Sequence, residues 1–219
     1  MNLDYLASVD GVLLDGLRLT VVATLLGAAI ALVLGLLIAC VQLARVPVLF
    51  QAITVLVIVI RNTPLLGQLF FMFYVLPRYG IRLDALTVGV LALGVHFSCY
   101  AAQALRGGFL AVPRGQWEAC SVLGLSRTTT LWKVVLPQAL PPVVPTLTNL
   151  LISMFKDSAV LSAITVLELL GTTRNLASTS FQYTTLFTAM GLMYLAIALP
   201  ASLAVRRLEH RLSRRTARA

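Results

Sequence analysis

Residues 21–41 are VVATLLGAAIALVLGLLIACV, an apolar run of 21 residues interrupted only by Thr24. At about 1.5 Å per residue, a helix of this length crosses a hydrocarbon layer of about 30 Å. Its twelve Leu, Ile and Val residues favour insertion into a bilayer by roughly 4 to 7 kcal/mol in total. The run therefore predicts a membrane-spanning helix, which we place at about residues 17–42.

One face of this predicted helix carries only small side chains. Gly27, Ala31, Gly35 and Ala39 recur at every fourth residue, and positions four apart lie on the same side of a helix. Small residues in such a row let a second helix approach closely. We therefore expect this face to pack against another helix of the protein.

The whole chain is too apolar for a water-soluble fold. Of its 219 residues, 59% are hydrophobic and 11% are charged, and the mean hydropathy is +0.92, well outside the range of soluble domains. Four further apolar stretches are long enough to span a bilayer. The sequence thus predicts a single all-α membrane domain with five spans, the last four at about residues 48–77, 85–106, 139–165 and 185–206.

The positive charges predict the orientation of the chain. Its 17 Lys and Arg outnumber 8 Asp and Glu, and six arginines fall within the last fourteen residues, directly after an apolar stretch. This position suits a cytoplasmic anchor at anionic lipid better than a nucleic-acid-binding arm. With the N-terminus outside, eleven basic residues lie inside and four outside, as the positive-inside rule requires. The inside set is Arg45, Arg106, Arg114, Arg127, Lys133, Arg206, Arg207, Arg211, Arg214, Arg215 and Arg218; the outside set is Arg18, Arg78, Arg82 and Arg174.

The segment between the third and fourth spans, about residues 107–138, is too long for a simple hairpin connection and too apolar for a disordered linker. We expect a short helix that is ended by Gly124, because glycine tolerates the left-handed conformation found after many helices. A second short helix, about Arg127 to Leu136, should end before Pro137. Two short helices at an angle would present a rigid surface to a soluble partner.

Polar residues interrupt the second span near its middle, at Arg61-Asn62-Thr63-Pro64. An arginine at this depth costs about 2.5 to 3.5 kcal/mol, and a proline removes a backbone hydrogen bond. Both are tolerated where protein or water surrounds them, so Arg61 should face the bundle interior or an aqueous cavity. Either Arg61 caps the carbonyls of a broken helix, or these residues line a substrate pathway.

Two more groups of polar residues fall within predicted spans. Lys156 and Asp157 are adjacent in the fourth span, where they point about 100° apart and cannot simply neutralise each other; Arg61 and Arg106 are candidate partners for Asp157. His96, Tyr100 and Gln103 share one face of the third span and should point inward. For all of these, structural pairing and direct contact with a solute remain open alternatives.

The long segment resembles a known family. Glu118-Ala119-Cys120, Gly124 and Leu136-Pro137 are similar to the Glu-Ala-Ala, Gly, Leu-Pro signature of ABC importer permeases, with Cys120 at the third motif position in place of alanine. The resemblance implies the type I permease fold and a coupling loop that enters a groove of an ATPase subunit. The residues that it implicates in coupling are Gly115, Gln116, Trp117, Glu118, Ala119, Gly124, Leu125 and Pro137.

Further stretches extend this resemblance to the polar-amino-acid branch of the family, from about Gly16 to Leu212. They are Arg61 to Leu66, Tyr100 to Gly108, and Lys156-Asp157-Ser158 followed by Ile164 to Leu169. Within the branch, the chain is most similar to ectoine and hydroxyectoine importer permeases, through Val59 to Asn62, Phe73 to Pro77 and Gly115 to Ala119. Gln103 stands where many of these permeases have Glu, which favours a net-neutral solute.

The resemblance also implies the partners. They are a second permease subunit, identical or homologous, two cytoplasmic ATPase subunits that use ATP and Mg²⁺, an extracellular solute-binding protein, and the lipid bilayer of a bacterial inner membrane. The chain has no glycine-rich phosphate loop, so we expect it to bind no cofactor and to catalyse no reaction. An ion-coupled transporter or channel is the alternative function. An intramembrane enzyme or metal site lacks support, because His96 and His210 lie far apart in the predicted topology.

Overall fold

The computed structural model describes residues 3–44 and 47–216, and this part of the chain is helical without a strand. The predicted all-α membrane fold is confirmed. Four helical segments are long and apolar enough to cross a membrane. A fifth crossing is present if the two helical segments Pro47–Asn62 and Leu65–Tyr79, which meet at a bend, together form one span. The α-helices are α1 (Leu3–Ala44), α2 (Pro47–Asn62), α3 (Leu65–Phe70), α4 (Ala85–Ala111), α5 (Arg114–Val122), α6 (Arg127–Thr130), α7 (Leu136–Asp157), α8 (Leu169–Ser180) and α9 (Tyr183–Thr216).

Four short segments of other helix types join these elements. Phe71–Val75 and Leu131–Val135 are π-helical, and Leu76–Tyr79 and Ser158–Ile164 are 3₁₀-helical. Arg45 and Arg218, which contribute to the predicted cytoplasmic charge, lie outside the described residues. The side chains of the other tail arginines beyond Arg207 are not described either.

The core forms where α1 packs against α4. A Cβ added at Gly35 would lie 2.8 Å from the Cβ of Ala101, and one at Gly27 would lie 3.1 Å from the Cβ of Leu93. Ala31 and Ala39, on the same face, are buried. The predicted small-residue face is therefore confirmed as a helix-packing surface, and its partner is α4.

Two features of the helices differ from the sequence-based expectation. α1 begins at Leu3 and has 42 residues, about 63 Å of helix, because Leu13 and its neighbours are covered by α8 and α9.

α8 was not predicted, since residues 169–180 are rich in Thr, Ser and Asn and lack an apolar run. Glu168 is the N-cap residue of α8, and its carboxylate accepts hydrogen bonds from the backbone amides of Leu170 and Gly171.

The expectation that a second short helix ends before Pro137 is wrong. α6, the π-helical segment and α7 follow one another without a break, and Pro137 lies in the first turn of α7. In the π-helical turn, the amide of Leu136 bonds to the carbonyl of Leu131, five residues earlier. This wider turn gives room to the proline ring, which would otherwise clash with the carbonyl four residues before it. The long loop therefore continues into the fourth span without an intervening non-helical residue.

Candidate functional site

The second span is broken at Thr63 and Pro64, where the chain turns by 106°. The break frees carbonyl groups at the end of α2, and side chains bond to them. Asn62 donates to the carbonyl of Ile58 at 2.8 Å, and Thr63 Oγ1 donates to that of Val59 at 2.9 Å. Side chains of α2 and the break thus bond to the carbonyls of Ile58 and Val59.

Gln68, on α3, also stabilises the break, a role that no sequence pattern predicts. Its Nε2 donates to the carbonyl of Ile60 at 2.7 Å and to Thr63 Oγ1 at 2.8 Å. Its Oε1 lies 3.1 Å from His96 Nδ1 on α4. Because Gln68 Oε1 can only accept, His96 Nδ1 carries the proton of this hydrogen bond. Gln68 therefore ties both halves of the broken span to the third.

Arg61 lies at the end of α2, beside Tyr100. Its guanidinium carbon is 4.9 Å from the centre of the Tyr100 ring, and the Tyr100 hydroxyl donates to the Arg61 carbonyl at 3.5 Å. Within residues 4–44 and 47–209, where side chains are described, its guanidinium caps no helix carbonyl; Asn62, Thr63 and Gln68 do so instead. This leaves the guanidinium available to a solute. We call Arg61, Gln68, His96 and Tyr100 the break cluster.

Lys156 and Asp157 lie at the C-terminal end of α7, on the side facing the break cluster. Asp157 interacts electrostatically with His96 and Lys156. In the described part of the chain, Asp157 forms no ion pair with Arg61 or Arg106, so the suggested pairing with these arginines is not found there. Arg106 Nε is instead buried without a partner there.

The predicted pathway residues are exposed on the surface of the single chain. Arg61, Asn62, Thr63, Pro64, Lys156 and Asp157 are all exposed, whereas His96 and Tyr100 are half-buried. Within one chain, Arg61 therefore does not face the bundle interior, and the other expected surrounding, an aqueous cavity, stays a prediction. Charged groups within a membrane span need protein or water around them, and the described part of one chain does not enclose Arg61, Lys156 or Asp157.

Gln103 lies one turn beyond Tyr100 on α4, and its amide donates to Gln42 Oε1 on α1 at 3.2 Å. Gln42 is almost fully buried, with 4% of its surface exposed. This second residue was missed because an isolated glutamine near the end of an apolar span carries no pattern. The pair joins α1 to α4 next to the break cluster.

The second candidate region is the elbow, residues 113–128, which includes α5 and the turn to α6. Leu123 and Gly124 end α5 as predicted: Gly124 has φ +67°, its amide donates to the carbonyl of Ser121, and that of Leu125 donates to Cys120. These two bonds form a Schellman motif. The turn is fixed by its own hydrogen bonds.

The elbow is anchored on one side and open on the other. Cys120 is buried, and Gln138 donates to Gln116 Oε1 at 3.3 Å. All other residues of the elbow are exposed, including Val122 at 87% and Leu123 at 73%. Exposed apolar side chains on a rigid turn are typical of a protein-binding surface. Among the described residues, no group of His, Cys, Asp and Glu could hold a metal ion.

Comparisons with known proteins agree over nearly the whole chain. A family model described as "binding-protein-dependent transport system inner membrane component" matches residues 14–214. Two relatives come from Sinorhizobium fredii. The probable amino-acid ABC transporter permease protein y4tG is 40% identical, covering 98% of this chain and 93% of its own. The similarly named y4tF is 38% identical, covering 71% and 68%. In a crystal structure of an amino acid ABC transporter with histidines, one chain matches with a TM-score of 0.89 and 29% identity, covering 96% of this chain and 99% of that one.

Proposed function

The chain belongs to the binding-protein-dependent transport system inner membrane components, and from this we propose its solute, its orientation and its partners. It is a permease subunit of an amino-acid ABC importer, has no catalytic activity of its own, and spans the membrane several times. The proposals below concern the finer points. They rest mainly on the break cluster, in which Arg61 lies over Tyr100 on the face that one chain leaves open.

The solute that we propose is a small zwitterion without net charge, such as ectoine, hydroxyectoine or a neutral amino acid. Arg61 would bind its carboxylate, since a guanidinium binds carboxylates through two parallel hydrogen bonds. Asp157 would attract its cationic nitrogen. Gln103, a neutral amide, adds no second negative charge for a cationic side chain. The sequence resemblance to ectoine importer permeases supports ectoine within this class.

We propose that a second permease completes the pathway. The exposed charges of Arg61, Lys156 and Asp157 need a facing surface, and a copy of this chain or a homologue would supply it. The similarity to both y4tG and y4tF of one organism is compatible with a homologous pair. Either arrangement places two break clusters at one interface.

Two ATPase subunits and an extracellular binding protein are the further proposed partners. The elbow would enter a groove of each ATPase through Gly115, Gln116, Trp117, Glu118, Ala119, Gly124 and Leu125, with Pro137 at its base. ATP and Mg²⁺ would bind to the ATPases. The positive-inside count supports an N-terminus outside and a C-terminus in the cytoplasm, which places the elbow inside, where ATP is.

Uptake by cells tests the proposed solute class. We expect cells that express the complete importer to accumulate radiolabelled ectoine, hydroxyectoine or L-glutamine, and matched cells that lack only this chain to accumulate none above background. L-Arginine should enter equally in both. Uptake that survives removal of the ATPase subunits would instead favour the ion-coupled alternative, for which no feature of the chain gives specific support.

Gln103→Glu tests the preference for neutral solutes. The new carboxylate would lie one turn from Tyr100. The substitution also removes the side-chain amide that donates to Gln42. We expect uptake of net-neutral solutes to fall about tenfold, as for one charge-dependent interaction of about 1.4 kcal/mol, and competition by L-arginine to increase. Gln42→Leu, which removes the acceptor of the same hydrogen bond and adds no charge, is the matched control for loss of helix packing. An unchanged solute profile in Gln103→Glu would contradict the assignment.

A further inference from the structure

A cleft lined by both polar and apolar side chains lies apart from the break cluster, between the 3₁₀-helical segment Ser158–Ile164, α8 and the first turns of α9. Its volume is about 770 Å³ and it is open on one side, a size typical of small-molecule sites. Its walls include Ser162, Thr165, Arg174, Asn175, Tyr183 and Phe187. No residue of the break cluster is among its walls. The proposed orientation places this cleft at the outer end of the fourth and fifth spans.

One wall of the cleft carries a guanidinium. Arg174 of α8 is exposed and lines the cleft, and within the described part of the chain it has no hydrogen bond or ion pair. An arginine offers donors in a planar fork that fits a carboxylate. Asn175 beside it adds an amide that can donate or accept. This wall therefore suits an anionic group.

A zwitterion also carries a cationic nitrogen, and an aromatic pair in the cleft can bind such a group. Tyr183 and Phe187 lie one helical turn apart in α9, and their rings stack with centres 6.4 Å apart and planes inclined by 16°. Ring faces attract ammonium groups at distances of up to about 6 Å. The cleft thus offers one group for each charge of a zwitterion.

Buried hydrogen bonds fix the geometry of the cleft. Glu168, which is fully buried, accepts from the amide of Gly171 at 2.8 Å and from the Tyr194 hydroxyl at 3.1 Å, and Thr20 Oγ1 of α1 lies 3.3 Å away. Gly171 lies so close to the Val166 carbonyl that a Cβ would collide with it. α8 is therefore held against α1 and α9 in one position, and Arg174 with it.

We propose that this cleft is an outer subsite for the transported zwitterion, in which Arg174 binds the carboxylate and Tyr183 and Phe187 receive the cationic nitrogen. The inference rests on the proposed solute class and orientation. The solute would occupy this subsite first, on leaving the binding protein, and reach the break cluster afterwards. Arg174 would then select for a carboxylate before the pathway is entered.

Thiol protection tests the subsite. Ser178→Cys places a thiol on the wall of the cleft, and Thr179→Cys places one on the next residue, which is exposed but outside the cleft. The complete importer in nanodiscs is treated with a methanethiosulfonate reagent, alone or with L-glutamine, ectoine or glycerol, and modification is followed at each cysteine by mass spectrometry. We expect L-glutamine or ectoine to slow modification of Ser178→Cys several-fold. Glycerol should have no effect, and Thr179→Cys should not be protected.

Three results would overturn the subsite. The first is an unchanged modification rate at position 178 with a solute that the same complex transports. The second is protection by ligand-free binding protein alone, which would make the cleft a docking surface. The third is a thiol at position 178 that the reagent does not modify even without solute, which would mean that another subunit covers the cleft. If the complex transports neither solute, the proposed solute class fails and the subsite fails with it.

Uptake kinetics give an independent measurement. We expect Arg174→Gln to reduce uptake of L-glutamine or ectoine about tenfold, as for the loss of one charge-assisted interaction, and Arg174→Lys to restore part of it. Arg78→Gln, at another exposed arginine on the proposed outer side, is the matched control and should leave uptake unchanged. Equal uptake by Arg174→Gln and the unsubstituted importer would contradict the role of Arg174.

Discussion

Gly124→Asp is expected to separate the permease from its ATPase while the permease stays inserted in the membrane. Gly124 has φ +67° and nothing of this chain lies within 4 Å of the position of an added Cβ, so the fold has room for the new side chain. A partner that covers the elbow would bury an unpaired carboxylate, which costs about 3 to 5 kcal/mol. ATPase binding should weaken at least about a hundredfold, since 1.4 kcal/mol corresponds to a factor of ten.

Copurification of the ATPase with the tagged permease measures this effect, together with solute-stimulated ATP hydrolysis. Gly80→Asp is the matched control: Gly80 also has a positive φ, +86°, and open space around it, but it lies at the opposite end of the proposed topology. Gly80→Asp should therefore have the same backbone strain and retain the ATPase. A fully active ATPase that copurifies with Gly124→Asp would refute the assignment of the elbow.

Arg61→Ala is expected to have the second large effect, on the solute pathway. It removes the guanidinium beside Tyr100, and with it the group that we propose for the solute carboxylate. A hydrogen bond to a charged group contributes about 1.5 to 3 kcal/mol, so uptake should fall roughly ten- to a hundredfold. Arg61→Lys retains the charge without the planar fork and should give an intermediate rate.

The measurement has to separate transport from assembly. Permease abundance in the membrane and ATPase copurification are recorded beside uptake, and Arg82→Ala, at an exposed arginine outside the break cluster, serves as the control. Loss of uptake with intact assembly supports a role in the pathway. Normal uptake together with normal assembly would remove Arg61 from the proposed site.

The features that were predictable from the sequence are local ones. The small-residue face of α1 follows from a four-residue period, the left-handed turn at Gly124 from a glycine after an amphipathic helix, and the break at Pro64 from the loss of a backbone donor. Each depends on residues that are close together in the chain. The family signature around Glu118 is local as well.

The features that were missed depend on contacts between distant segments. Gln68 bonds to His96 across 28 residues, Gln103 to Gln42 across 61, and Thr20 to Glu168 across 148. No periodic pattern indicates such pairs, because only the packing of the helices brings them together. α8 was missed for the same reason: its polar residues favour a helix only once Glu168 and the neighbouring α1 hold its first turn.

The uninterrupted helix from Arg127 to Ile164 has a mechanical consequence. Its 38 residues form a lever about 57 Å long, with the elbow at one end and Asp157 near the other. Pro141, Pro142 and Pro145 each remove a backbone hydrogen bond, so the lever is most compliant just above the elbow. A tilt of roughly 10° at Pro145 would move Asp157 by about 3 Å, close to the diameter of a water molecule. A small displacement of the elbow is therefore enough to widen or close a passage for a small molecule.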